Sequence, residues 1–257
     1  MDILPEDATA RTLFFRALRY GSLEAVKTLV NLGADVTWRN EDVHGFSGLH
    51  LCLKEVEKLE FLLSKGADVN QTDGFGMTTL MWACVGGLPA TVERLCQVPG
   101  VDLNCRDDSQ LKQTAVMHAV GHNKLRCVEK FRAVTGVDWD VVNSFGFSAI
   151  MEAVSLGHTA IVEALLPVSS LVLTNTDGDS MAHLAVKASK PDSLKILQLL
   201  CQDGRVDWNT KDREGNCAVL IALENNQVER FRTLVRTPGV DTDITDAQGR
   251  NLMQLIM

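Results

Sequence analysis

The chain has 257 residues, of which 46% are hydrophobic and 23% charged, and its formal net charge is −8. This composition predicts a folded protein rather than a disordered one. The negative charge provides no general attraction for nucleic acid phosphates or anionic membrane surfaces, so we expect neither as a partner. No apolar run approaches the roughly 18 residues of a membrane span, so we expect no membrane insertion.

Seven cysteines are scattered through the sequence without a C-x-x-C pair. This pattern argues against a disulfide framework or a zinc cluster, and it favours a reducing compartment, the cytoplasm or the nucleus. Most of the cysteines fall among apolar residues at helical spacing, where a thiol acts as a small hydrophobic group. Only Cys105, beside Arg106 on a predicted loop, is a candidate for an exposed and activated thiol.

A motif recurs with a period near 34 residues. Gly33-Ala34-Asp35-Val36 is repeated at residues 66–69, and looser forms continue along the chain. The aspartates of the motif, Asp35, Asp68, Asp102, Asp138, Asp207 and Asp241, are separated by 33, 34, 36, 69 and 34 residues. The doubled gap indicates a degenerate repeat near Leu171. A fixed period of this length predicts stacked repeats that share a continuous core.

Each repeat carries signals for two short helices. A hydroxyl that can cap a helix recurs before the first helix, at Ser47, Thr78, Thr114, Ser148 and Ser180. The position after that helix holds only residues that favour left-handed backbone, namely Gly21, Gly87, Asn123, Gly157 and Asn226. In the third unit, Leu80–Cys84 belongs to the first helix and Leu88–Cys96 to the second.

This unit resembles the ankyrin repeat. The family signature Thr-Pro-Leu-His-x-Ala is echoed by Gly48-Leu49-His50 and by Met181-Ala182-His183-Leu184-Ala185. The resemblance implies an all-α solenoid of stacked helix-turn-helix units with β-turn or hairpin loops. The sequence departs from the family pattern at Lys54–Glu57, where the second unit is shortened, at Lys112, which replaces a turn glycine, and at Ala188–Pro191, which is extra.

We place the repeats, in chain order, at residues 7–39, 40–72, 73–106, 107–142, 143–174, 175–211 and 212–245, followed by a partial eighth at 246–257. No Pro/Ser-rich or low-complexity linker interrupts them, so we expect a single domain over 1–257. The last segment, Asn251–Met257, is apolar. Two interpretations stay open: further domains follow Met257 in a longer protein, or the segment is a short cap that packs on the seventh unit.

The sequence offers no catalytic constellation and no cofactor or metal motif. His50 and His183 occupy the signature position of the first helix, where the resemblance implies that imidazole bonds to neighbouring backbone. His118 and His122 have the i, i+4 spacing of metal ligands, but no third ligand accompanies them. We therefore expect a protein that is not an enzyme and that uses no cofactor.

Loop residues that the repeat does not require are the candidates for partner contacts. In ankyrin arrays the concave surface consists of the loop tips and the solvent face of the first helix. Aromatic residues and methionine are enriched at protein interfaces, and arginines supply polar contacts. The candidates are Phe46, Phe75, Met77, Phe145 and Phe147, with Arg39, Arg106 and Arg213. They predict a protein or peptide partner.

The sequence leaves two main functional interpretations and a weaker third, and it also suggests one modification. The array is either a free-standing interaction module or the regulatory or substrate-recruiting part of a longer enzyme or receptor. A weaker alternative is a domain that senses a small ligand such as a nucleotide. The resemblance also implies that an intracellular hydroxylase can modify loop asparagines with leucine eight residues upstream, which Asn70 satisfies through Leu62.

Overall fold

The computed structural model describes residues 8–40 and 44–244. Internal contacts divide the chain into two compact units, residues 1–137 and 138–257. The predicted partial eighth repeat lies outside the described residues, and the single-domain organisation stays a prediction. The described residues form helix pairs linked by loops, as the repeat pattern predicts.

In the first unit, residues 8–40 and 44–137 are described and contain four helix pairs and one short hairpin. Its helices are α1 (Ala8–Tyr20), α2 (Leu23–Asn31), α3 (Gly48–Leu51), α4 (Val56–Ser64), α5 (Thr79–Gly86), α6 (Pro89–Cys96), α7 (Ala115–Gly121) and α8 (Leu125–Arg132). Strands β1 (Arg39–Asn40) and β2 (Phe46–Ser47) pair antiparallel, with Arg39 opposite Ser47. Odd-numbered helices pack on odd-numbered ones and even on even, so the pairs share one core.

The described part of the second unit, residues 138–244, contains three helix pairs. They are α9 (Ala149–Leu156) with α10 (Thr159–Leu165), α11 (Met181–Lys187) with α12 (Ser193–Asp203), and α13 (Ala218–Glu224) with α14 (Val228–Val235). Helix α11 packs on α9 and α13, and α12 packs on α10 and α14. The residues extra to the repeat pattern form the connection between α11 and α12. Arg230 closes this connection by donating to the carbonyls of Val186 and Ala188.

The predicted caps are present at the start of the first helices. Ser47, Thr78, Thr114, Ser148 and Ser180 are all N-cap residues with extended backbone. The Thr78 hydroxyl accepts from Met81 N–H at 3.3 Å, which satisfies a donor that the helix leaves open. The predicted N-cap positions are confirmed, but the hydroxyl bond does not form at all of them, since the buried Ser148 Oγ has no hydrogen-bond partner among the described residues.

The predicted left-handed sites are confirmed at four of five positions. Gly87, Asn123, Gly157 and Asn226 have φ of 64°, 54°, 77° and 55°. The prediction for Gly21 was wrong, since this residue is not among those with positive φ. Space explains this glycine instead: a Cβ there would lie 2.8 Å from the Ala17 carbonyl oxygen, closer than real contacts allow.

A buried lysine accompanies the shortened second repeat, whose first helix, α3, has only four residues. Lys58 on α4 is 1% exposed, and its Nζ donates to the Leu18 carbonyl at 3.2 Å near the end of α1. The same ammonium contacts Glu55 Oε2 at 2.8 Å, and this glutamate is half exposed. Lys58 thus pairs a carbonyl at the negative end of α1 with a positive charge.

Replacing Lys58 by methionine keeps the volume but removes the charge and its hydrogen bonds. We expect Lys58→Met to lower the free energy of unfolding by about 2 kcal/mol, the range for hydrogen bonds of a charged group. Urea unfolding followed by circular dichroism measures the change. Lys54→Met, on an exposed lysine in the loop before α4, is the matched control and should shift stability by less than about 0.5 kcal/mol. Equal losses in both variants would contradict this role for Lys58.

Lys112 occupies the turn-glycine position with a strained backbone, φ 53°. Its Nζ contacts the exposed Asp108 Oδ1 at 3.0 Å. We expect Lys112→Gly to raise the free energy of unfolding by about 0.5–1 kcal/mol, because relief of left-handed strain exceeds the entropy that glycine adds to the unfolded chain. Lys112→Ala keeps the strain and serves as the control. Thermal unfolding should rank Gly above Lys and Ala; a glycine variant below the alanine variant would refute the argument.

Candidate functional site

The loop tips are built around one recurring side-chain oxygen. At the start of a tip stands an Asp or Asn whose Oδ1 accepts two backbone N–H groups of the same loop. Asp73 accepts from Phe75 at 2.8 Å and Met77 at 2.9 Å, and Asn143 accepts from Phe145 at 2.9 Å and Phe147 at 3.0 Å. Equivalent bonds form at Asp107, Asn175 and Asp212. The tips are therefore ordered without any partner.

The tips that contain Phe75 and Phe145 are each also bonded to the next tip in the same unit. The Phe75 carbonyl accepts from Asp108 N–H at 3.0 Å, and the Phe145 carbonyl accepts from Thr176 N–H at 2.9 Å. Both peptide groups of these two phenylalanines are thus satisfied inside the protein. Only their side chains stay available, with Phe75 50% and Phe145 55% exposed.

Phe75 and Phe145 occupy equivalent positions, two residues after the tip Asp or Asn. The corresponding residues in other tips are polar, Ser109, Asp177 and Glu214. One exposed phenylalanine therefore stands in each unit. Exposed rings on an ordered backbone lose little conformational entropy on binding, which is the property of a good contact residue.

The other aromatic candidate in the first unit, Phe46, is half-buried in a cluster of rings. It stacks on His50 with centroids 5.6 Å apart and meets Trp82 edge-on at 5.8 Å, while His44 lies 5.3 Å from Phe75. Trp82 Nε1 donates to Asp73 Oδ2 at 2.7 Å, which ties the α5 helix to its loop tip. Phe46 supports this cluster, whereas Phe75 forms its exposed edge.

Sequence reasoning missed Trp82 and His44 in this cluster. Trp82 follows the cap Thr78 by four residues, on the side of the first helix that faces the tip. That spacing was a usable signal. His44 offered none, because its contact depends on a left-handed backbone with φ 54°.

The remaining apolar candidates are half-buried. Met77 and Phe147 both close their tips through main-chain bonds, with Asp73 N–H donating to the Met77 carbonyl at 2.9 Å and Asn143 N–H to the Phe147 carbonyl at 3.0 Å. Their role in the fold is to complete the tip hairpin. Their side chains are therefore less exposed than those of Phe75 and Phe145.

The three arginine candidates lie at separate places. Arg39 is half-buried in β1, where its guanidinium lies so near Gly45 that a Cβ there would be 2.6 Å from Nη2. Arg106 is exposed just before a tip. Arg213 is exposed in the second unit and packs over Gly178, beside a polar cavity of about 280 Å³ lined by Asp177, Lys187, Asp212, Arg213 and Glu214.

The charges around this cavity make it poorly suited to binding a phosphate. Lys187 Nζ lies 2.6 Å from Asp179 Oδ1 and 3.5 Å from Asp212 Oδ2, so its charge is already paired. Its pKa is raised because burial, which opposes the charge, is outweighed by these two carboxylates. Carboxylates outnumber cations around the cavity, which repels an anionic ligand.

Asn70 is engaged in the connection between repeats. Its Nδ2 donates to the Gly100 carbonyl at 2.8 Å, and its Oδ1 accepts from Asp102 N–H at 2.8 Å. Asn104 and Asn209 make the same type of bond to Gly136 and Gly239. A structural role therefore accounts for these asparagines, and modification of Asn70 stays a prediction.

The structure argues against Cys105, the candidate for an exposed and activated thiol. Its side chain is half-buried, and its Sγ lies 3.5 Å from the Asp102 carbonyl. Burial and the nearby Asp102 carboxylate raise the pKa of this thiol to about 11, so little thiolate forms at neutral pH. Proximity to Arg106 does not offset these effects.

His118 is bonded to a loop tip. Its Nε2 lies 2.8 Å from Asp107 Oδ2, and both residues are buried. Burial lowers the pKa of His118 despite this carboxylate. Burial raises the pKa of Asp107, but bonds from Ser109, Gln113 and His118 give a net fall, so a neutral imidazole donates to a charged carboxylate. Across the described part of the chain, no group of three or more His, Cys, Asp or Glu could hold a metal ion.

The signature histidines bond to backbone as the resemblance implied. His50 Nδ1 accepts from Ser47 N–H at 3.1 Å, and Nε2 donates to the Met77 carbonyl at 3.1 Å. His183 repeats the arrangement with Ser180 and the Asn216 carbonyl.

A family model for ankyrin repeats, in three copies, matches residues 2–73, 49–132, 80–170 and 116–212. The chain belongs to the ankyrin-repeat family.

Three relatives illustrate the range of that family. The chain is 27% identical to ankyrin repeat protein nuc-2 of Neurospora crassa over 95% of its length, and it spans 22% of that protein. It is 38% identical to the I-Kappa-B like protein C2 of Microplitis demolitor bracovirus over 27% of its length, spanning 39% of that protein. The human transient receptor potential cation channel subfamily A member 1 is 24% identical over 79% of this chain, which spans 19% of it.

A solved structure shares the fold. The ankyrin repeat domain of Bcl-3, a member of the IkappaB protein family, superposes with a TM-score of 0.78 at 23% identity and covers 90% of this chain and 100% of that one. Within the residues described, no helix has the length and apolar character that crossing a membrane requires.

The His50 bonds predict a pH dependence. Burial lowers the pKa of His50 below 6.5, although the bond to the Met77 carbonyl and the charge of Asp73 oppose this shift. A depressed pKa contributes stability that is fully present above about pH 6.5 and is lost as pH falls through the folded-state pKa. We expect urea midpoints to fall between pH 7.5 and 5.5, and His50→Gln to show a smaller fall. An identical pH slope in both proteins would exclude His50 as a source.

Proposed function

We propose that the chain is a non-catalytic protein-binding module and that each compact unit contributes contacts through the exposed phenylalanine of a loop tip, Phe75 in the first unit and Phe145 in the second. The observation that carries the proposal is the pairing of an ordered, internally satisfied backbone with a half-exposed ring at Phe75 and at Phe145. Ankyrin repeats generally mediate protein interactions, and the family membership supports the same class of function.

The energies of burial and association limit the affinity that two phenylalanine rings can provide. Burying a phenylalanine contributes about 2 kcal/mol, and association opposes binding by at least about 4 kcal/mol. The two rings alone would therefore give negligible affinity. Further contacts are needed, and the half-buried Met77 and Phe147 and the exposed Arg106 and Arg213 are their candidates.

A second candidate function is the regulatory or recruiting part of a longer protein. The specific observation in its favour is that this chain spans 22% of nuc-2 and 19% of the cation channel. Both candidates place the contact surface on the loop tips. They differ in whether the bound partner is a separate protein or another segment of the same protein. For either candidate the proposed location is the cytoplasm or the nucleus.

The decisive variants are Phe75→Asp and Phe145→Asp, since both rings are exposed and their replacement should leave stability within about 0.5 kcal/mol. Val172→Asp, at a side chain that is 77% exposed, is the matched control away from the tip positions. Partners captured from lysate by the native protein are identified by mass spectrometry and their affinities measured by calorimetry. We expect at least a tenfold loss with either phenylalanine variant and less than twofold with the control.

If Val172→Asp weakens binding as much as the phenylalanine variants, the tips are not the contact surface. If no separate partner is retained by the native protein, the longer-protein candidate replaces the free-standing module. Its test is the same pair of variants in the longer chain, with proteolytic release of the repeat domain as the readout.

A further inference from the structure

Helix α1 has an exposed face that the loop-tip proposal does not use. Its opposite face is buried through Phe14, Phe15 and Leu18. The exposed face, here called the α1 face, consists of Leu13, Arg16, Arg19 and Tyr20. These positions are spaced by three, three and one residues, so all four side chains lie on one side of the helix.

The basic character of this surface is confined to helix α1. The full sequence has a formal net charge of −8, and acidic residues flank the region within 1–7 and 41–43. Helix α1 itself carries Arg11, Arg16 and Arg19 and no acidic residue. Within residues 8–40 and 44–244, none of these arginines pairs with a carboxylate; Arg11 lies over the Trp38 ring and Arg19 over the Tyr20 ring.

Two large apolar groups stand beside these charges. Leu13 is 50% and Tyr20 75% exposed, and Arg16 lies between them along the helix. A polar end of a repeat array needs no exposed leucine or tyrosine for solubility. Apolar side chains flanked by unpaired arginines instead match the contact pattern of an amphipathic partner segment.

We propose that the α1 face binds an acidic amphipathic helix of a partner protein, with Asp or Glu side chains facing Arg16 and Arg19 and an apolar side chain between Leu13 and Tyr20. Guanidinium groups pair with carboxylates through two parallel hydrogen bonds, which suits this partner chemistry. Two arginines in a chain of net charge −8 are too few to hold an anionic membrane or a nucleic acid.

The probe is a pair of synthetic 15-residue peptides of identical composition. One carries Glu and Leu at spacings of three and four, which gives one acidic and apolar face, and the other has the same residues scrambled. Fluorescence anisotropy with the full chain should show at least tenfold tighter binding of the patterned peptide. Binding should weaken as salt is raised, because screening reduces the attraction between the charges.

Charge reversal locates the site. Arg16→Glu/Arg19→Glu should weaken the patterned peptide at least tenfold, and Leu13→Ser/Tyr20→Ser several-fold. Arg126→Glu/Arg132→Glu, on exposed positions of α8, is the matched control and should change affinity less than twofold. The loop-tip variants Phe75→Asp and Phe145→Asp should bind the peptide normally, which separates this site from the proposed function.

Three outcomes would overturn the proposal: equal binding of patterned and scrambled peptides, an equal loss in the α8 control, or no loss in the α1 variant. Vesicles containing phosphatidylserine test the membrane alternative. If they bind the native chain and not Arg16→Glu/Arg19→Glu, while the peptide does not bind, the α1 face contacts lipid and not an acidic protein. Circular dichroism of each variant confirms that it is folded.

Discussion

The interaction on which this structure depends is a side-chain oxygen that accepts two backbone N–H groups at the start of a loop tip. Asp73 and Asn143 show it most clearly. A loop leaves many backbone donors without partners, and each unsatisfied buried donor is destabilising. One Asp or Asn removes two of them and fixes the direction of the side chains between them. The helices supply the core, but this oxygen sets the position of the exposed rings.

The groups of the ordered tips that are not bonded within the protein are the ones that can contact a partner. Since the backbone of Phe75 and Phe145 is bonded on both sides, a partner cannot bind there by strand pairing, and contacts must come from side chains. The α1 face offers a different chemistry, charged and apolar together.

Local signals in the sequence were enough to predict the fold. The period, the caps and the left-handed Gly and Asn sites each depend on residues close together in the chain, so the ankyrin family and its helix pairs could be predicted. Gly21 failed because its requirement is a close approach to the Ala17 carbonyl and not a positive φ. The site was predicted only in outline. Exposure separates Phe75 and Phe145 from Phe46 and Phe147, and the burial of Lys58 and Cys105 depends on neighbouring repeats, which spacing does not reveal.

Amide hydrogen exchange at the loop tips tests the central claim most directly. In the free protein, the N–H groups of Phe145 and Phe147 donate to Asn143 Oδ1 and should exchange at least tenfold more slowly than in an unstructured peptide. In Asn143→Ala that protection should disappear, while the amides of α9 stay protected. Exchange at the unstructured rate in the native protein, or protection that survives Asn143→Ala, would contradict an ordering of the tips by this side chain.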